Sequence, residues 1–123
     1  MFRGEDYTHF WIDDDILHFV YKPNTVIDLK AAERIVKDRL RYQNGKSYPI
    51  LCDLRQLKIV TKPARDYLAR QGSSMALAVA LIVEPSYSGQ ISKVFLNMSR
   101  PSVPTKEFTE ISKALEFLSS YVK

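Results

Sequence analysis

The sequence predicts an α/β domain in which a mostly parallel sheet carries helices on both faces, in the order ββαβαβαβα. Three observations lead there. After an opening hairpin, strand-like runs alternate with helical periodicity, and crossovers of that kind pack right-handed around a parallel sheet. Residues 76–83, ALAVALIV, are apolar without alternation, as a strand covered on both faces requires. Finally, 123 residues with 46% hydrophobic and 11% aromatic content suffice for one core and are too few for two. A single domain over residues 1–123 is therefore expected, with residues 1–6 loose.

The elements follow in order. Residues 7–12 contain Phe10, Trp11 and Ile12, Asp13-Asp14-Asp15 interrupts them, and residues 16–21 resume with β-branched and aromatic side chains. This is two strands joined by a polar turn. Pro23-Asn24 ends the hairpin. Asp28 suits a helix N-cap, because its carboxylate can accept from free N–H groups of the first turn. Leu29, Ala32, Val36 and Leu40 recur at helical spacing as an inner face, and Asn44-Gly45 supplies a left-handed terminus. Residues 48–54 read as a buried strand with Pro49 restricted to its start.

After a short loop, Thr61-Lys62-Pro63 begins a second helix, with Thr61 as cap and Pro63 in the first turn. Ala64, Tyr67 and Leu68 form its inner face, and it weakens at Gly72-Ser73-Ser74. Beyond the ALAVALIV strand, Glu84-Pro85-Ser86 turns the chain into a third helix. There Tyr87, Ile91, Val94, Phe95 and Met98 share one face, and Pro101 stops it. Residues 103–108 suit an edge strand, where Pro104 is tolerated. Ile111, Ala114, Leu115, Leu118 and Val122 define a final helix.

Composition narrows the function classes. The single Cys52 cannot form an internal disulfide, no basic and apolar leader is evident, and no apolar run reaches the length of a membrane span, so a cytoplasmic protein is expected. The formal net charge of +4 is unevenly placed. Residues 1–29 are net acidic, and nearly all the positive charge sits in residues 30–72. Such polarity suits an oriented contact with an acidic protein or an anionic membrane surface better than diffuse nucleic-acid binding.

Motifs of catalysis are missing. Gly4, Gly45, Gly72 and Gly89 are isolated, so no phosphate-binding glycine loop exists, and neither GxSxG nor HExxH occurs. Asp13-Asp14-Asp15 reads as a solvated turn, because consecutive residues point in different directions and no EF-hand loop surrounds them. His9 and His18 lie on paired strands without further ligands at metal spacing. Cys52, inside a strand, reads as a small core residue. No catalytic residue, metal or cofactor is assigned.

Two surfaces remain. Lys30, Arg34, Lys37 and Arg41 form a stripe about 60° wide at 100° per residue, turned away from the apolar face of the first helix and therefore solvated. It reads first as an ordinary solvated flank and second as a docking surface for phosphates, an acidic protein or an anionic membrane. The third helix carries more apolar area than a short helix needs, so Tyr87, Ile91 and Phe95 could wall an apolar pocket.

The segment Cys52-Asp53-Leu54-Arg55-Gln56-Leu57-Lys58-Ile59-Val60-Thr61, followed by a helix, resembles the STAS family of anti-sigma-factor antagonist domains and their SpoIIAA-like relatives. A central strand ending in Asp-Leu, a short hydrophobic loop and a helix start follow one another there too. The hairpin ending Val20-Tyr21-Lys22-Pro23 is similar to that of small bacterial STAS- or SEC14-like proteins. The resemblance implies a SpoIIAA-like fold and a phosphorylation switch, with serine in an Asp-Ser-Ser-Gly segment at the helix start. Sliding that pattern onto this chain puts its serines at Lys62 and Pro63, which cannot accept phosphate, and leaves only Thr61 nearby.

The expectation is a non-enzymatic regulatory or protein-interaction module without the usual phosphorylatable serine. Its contact surface would comprise Arg55, Lys58, Thr61, Lys62 and Arg65, since ligands of open parallel sheets gather outside the carboxyl ends of the strands. The alternative is a small apolar-ligand or lipid-binding protein of SEC14-like type. Edge strands also admit a homodimer. An enzyme would show itself by a clustering of His9, His18 and Asp13 around a metal.

Overall fold

A computed structural model describes residues 3–4, 7–85 and 87–123. Its first strand, β1 (Arg3–Gly4), lies within the segment expected to be loose, and it pairs antiparallel with β2 (Thr8–Asp13). The hairpin of β2 with β3 (Ile16–Tyr21) forms as the two strand-like runs about a polar turn predict, in the register Thr8↔Tyr21 through Asp13↔Ile16. Asp14 (φ 51°) and Asp15 (φ 60°) both take left-handed conformations, the two-residue turn that matches strand twist.

Next comes a short strand that the sequence does not announce. β4 (Thr25–Ile27) pairs in parallel with β6 (Leu57–Val60) to make a separate two-stranded sheet, where a loop was expected before Thr61. Strands of three and four residues offer too little alternation to recognise. The pairing is closed by backbone bonds from Asn24 to Gln56 (3.0 Å) and from Thr61 to Ile27 (3.0 Å).

α1 (Leu29–Gln43) starts where its cap predicts: an Asp28 side-chain oxygen accepts from the Ala31 N–H at 2.8 Å. It ends at Asn44, in the left-handed conformation (φ 51°). Its inner face differs from the expected Leu29/Ala32/Val36/Leu40. Leu29 is exposed and Leu40 half-buried, while Ala31, Ala32, Ile35, Val36, Arg39 and Gln43 are buried. The helix is rotated so that a cation and an amide enter the interior.

β5 (Tyr48–Asp53) holds Pro49 as its second residue rather than its first, and the register against β7 (Ala76–Ile82) shifts there, between Tyr48 and Ile50. A residue without an N–H sits where the ladder is already irregular. α2 (Lys62–Arg70) carries Thr61 as its cap, with the Ala64 N–H donating to Oγ1 at 3.4 Å, and a 3₁₀ turn at Gln71–Ser73 follows.

α3 (Tyr87–Val94) continues into a π-helical turn at Phe95–Ser99. This turn corrects the expected face: Ile91, Phe95 and Leu96 pack on the core, whereas Val94 and Met98 face solvent. The wider i→i+5 bonding, with Arg100 N–H on Phe95 O at 3.1 Å, carries Met98 off the apolar side. Ser86 and the Tyr87 side chain lie outside the described residues. β8 (Thr105–Phe108) and α4 (Ile111–Ser119) complete the chain, with Val103 and Pro104 just ahead of the strand rather than within it.

The main sheet has six strands in the order β1-β2-β3-β5-β7-β8, parallel from β3 onward, with β8 at the edge as expected. Strand parity divides the core. Leu17, Phe19, Ile50 and Leu81 face α1, α2 and α3, while Ile16, Leu51, Ala78, Ala80 and Ile82 face α4. Helices thus cover both faces, three on one and one on the other. Among the described residues no helix is long and apolar enough to cross a membrane.

Candidate functional site: an apolar cavity with a buried arginine

On the three-helix side, the layers do not meet completely. A cavity of about 100 Å³ remains between the sheet and the helices. Phe19, Ile50, Cys52, Val79 and Leu81 form its floor, with Tyr21 beside them. Ile35, Val36 and Arg39 of α1, Leu68 of α2, and Ile91 and Phe95 of α3 form its roof and sides. Two of the three residues expected to wall a pocket, Ile91 and Phe95, therefore line it. The wall is apolar because inward strand positions alternate and the helices turn Ala, Val, Ile and Leu toward them.

Arg39 breaks that pattern. Its residue surface is only 3% exposed. The guanidinium donates to Gln43 Oε1, to Gly72 O (2.9 Å) and to Ser74 O (3.1 Å). Gln43 Nε2 in turn donates to Lys46 O and Met75 O, both at 2.9 Å, so the last turn of α1 ties down two loops. A guanidinium has five N–H donors, and three bonds are made here. No carboxylate lies within ion-pair distance of Arg39 among the described residues.

The electrostatics sharpen this. Burial lowers the Arg39 pKa to about 10, which leaves the group protonated at neutral pH. Its acidic neighbours are neutral there, because burial pushes the Cys52 thiol up to about 12 and the Tyr21 hydroxyl well above its ordinary value. One wall of an apolar cavity thus holds a positive charge with no compensating anion among the described residues, an arrangement that is costly unless hydrogen-bonded or matched by another charge. The raised thiol also accords with reading Cys52 as a core residue rather than a nucleophile.

The corner expected to dock a partner is built from β6 and the start of α2. Arg55 is engaged with Asp53 through three side-chain contacts, Nε to Oδ1 at 3.0 Å and to Oδ2 at 3.2 Å, and Nη2 to Oδ2 at 2.7 Å. Lys62 pairs with Asp66 at 2.8 Å, and Ser99 bridges Asp66 (2.8 Å) to Arg65 (3.0 Å). Hydrogen bonds from Lys62 and Ser99 hold the Asp66 carboxyl below the usual carboxylate range. Arg65 also lines the cavity, so it is shared between the two places. Lys58 is exposed on β6 next to Ile59, and Ile59 pairs across the two-stranded sheet with Val26; these two apolar residues are 42% and 49% exposed.

Lys30, Arg34, Lys37 and Arg41 all lie on the exposed side of α1, where Arg34 is 3.7 Å from Asp38. His9, His18 and Asp13 do not gather. The hairpin register sets His18 opposite Trp11, their rings stacked at 5.1 Å, and no three metal-ligating side chains converge among the described residues.

Sequence reasoning missed Arg39. A signal was present, since Ala32, Val36, Arg39 and Gln43 share helical spacing, but Leu40 offered a more apolar continuation of the same pattern.

This geometry defines a class: a SpoIIAA-like α/β domain with an interior cavity under its three-helix layer. The chain belongs to the family described as domain of unknown function DUF7793, whose model matches residues 10–122. In fold it is similar to an uncharacterized protein of the DUF3478 family with a SpoIIAA-like fold from Shewanella loihica PV-4. The TM-score is 0.63 at 15% identity, over 90% of this chain and 91% of that one. No curated protein matches the sequence.

Proposed function

We propose that this protein is a non-enzymatic binding module that holds a small apolar molecule between its sheet and α1–α3. The observation that carries this reading is the cavity itself, about 100 Å³ within an otherwise apolar interior. Concave, mostly apolar sites with a few polar groups in the wall are where proteins hold small molecules. The groups near the cavity suit a binding role: burial pushes up the pKa of the Cys52 thiol, and Asp53 and Asp66 are held by Arg55 and Lys62.

Native mass spectrometry of protein purified from cells tests it. The expected result is a retained small molecule, released on denaturation and lost in Leu68→Trp, which fills the cavity. A chain that arrives empty and takes up no apolar molecule on titration overturns it.

A regulatory module of the STAS-like kind is the second reading, favoured by the exposed Val26–Ile59 pair beside Lys58. Contiguous exposed apolar surface next to a cation suits an acidic protein partner. In-cell photocrosslinking from position 59 is expected to give one discrete adduct, weakened by Lys58→Glu. A smear unaffected by that change, or no adduct, removes this reading.

A further inference from the structure

We propose that the cavity takes a small monocarboxylate with an apolar tail, its carboxylate accepting from the buried Arg39 guanidinium. The inference rests on the apolar-ligand reading above and goes beyond it by naming the head group. Arg39 is 3% exposed, makes three hydrogen bonds with its five donors, and has no carboxylate within ion-pair distance among the described residues. Those three acceptors are an amide and two carbonyls, all neutral, so they satisfy hydrogen bonds without cancelling the charge. Tyr21 and Cys52 at the cavity supply no negative charge at neutral pH. An anionic ligand head is the remaining way to neutralise the site, and a guanidinium favours carboxylate through charge-assisted bonds.

Size limits the tail. A cavity of about 100 Å³ has room for a short chain, well beyond what a single water needs. That suits a medium-chain acid better than a long-chain lipid. Phe19, Ile35, Ile50, Val79 and Ile91 give the tail apolar contacts.

Isothermal titration with octanoate and 1-octanol at pH 7 tests the head group on the unmodified chain. Octanoate is expected to bind at least tenfold more tightly. Arg39→Met is expected to erase that preference, with circular dichroism verifying its fold, while Lys113→Gln, at an exposed position on α4 across the sheet, keeps it. Equal binding of the two ligands overturns the carboxylate assignment and leaves the apolar-ligand reading intact. Binding of neither overturns both. Loss of the preference in Lys113→Gln but not in Arg39→Met, or tighter binding of octylamine than of octanoate, also overturns it. Should Arg39→Met fail to fold, Arg39→Lys, which keeps the charge but loses the planar fork, serves instead and is expected to weaken octanoate more than 1-octanol.

Discussion

Phe10→Ala is expected to lower the unfolding free energy by about 3–5 kcal/mol, the range for truncating a fully buried aromatic. Phe10 is 1% exposed in the middle of β2, its ring stacked on Phe19 at 6.0 Å and edge-on to Tyr42 at 5.1 Å. β1 and β3 flank the strand on either side, so the backbone cannot collapse into the space. The loss is also one of specific ring contacts, each contributing about 0.5–1.5 kcal/mol beyond area. Equilibrium denaturation in urea, with the slope unchanged and the midpoint shifted, reads the effect. A shift below about 1 kcal/mol would place Phe10 outside the core and contradict the strand register.

Ala80→Leu tests the opposite face and the opposite fault. Ala78, Ala80 and Ala114 are fully buried where α4 lies on β7, and this close approach leaves no room for a longer side chain. Overpacking of this kind costs about 1–3 kcal/mol, and here the strain falls on α4, a terminal helix held by one face. The expected result is a lower melting temperature together with rapid tryptic cleavage at Lys113, ahead of global unfolding. Resistance to cleavage equal to that of the unaltered protein would show that α4 does not rest on these alanines.

These effects are large because they act where sequence and structure agree. The hairpin was legible in the β-branched and aromatic residues of 16–21, its turn in Asp13-Asp14-Asp15, and the buried parallel strand in ALAVALIV. Both helix caps at Asp28 and Thr61 were legible as well, because a cap is chemistry between residues three apart in the chain. The α/β class with a mostly parallel sheet followed from these elements and the SpoIIAA-like fold from the resemblance at residues 52–61; the structure bears out both and adds β1, β4 and β6 to the expected order.

The misreadings have a common cause. Leu29 and Leu40 outrank Ile35 and Arg39 in a pattern that scores each helix alone, yet the rotation of α1 depends on what the sheet and the 72–75 loop present to it. Gly72 O, Ser74 O and Met75 O lie more than thirty residues away along the chain from Arg39 and Gln43. Once these carbonyls are turned inward they need donors, and a rotated helix supplies them. The π turn that swings Met98 outward and the pairing of β4 with β6 are likewise settled between elements.

The sequence alone therefore determined the class of fold, the order of its main elements and the solvated side of α1, because each depends on local periodicity and short-range hydrogen bonding. Only the tertiary structure decided that a cavity exists and that a guanidinium lies in its wall. A cavity is the volume that side chains from distant segments fail to fill, and a buried charge is defined by what surrounds it. Neither quantity is carried by any one stretch of chain.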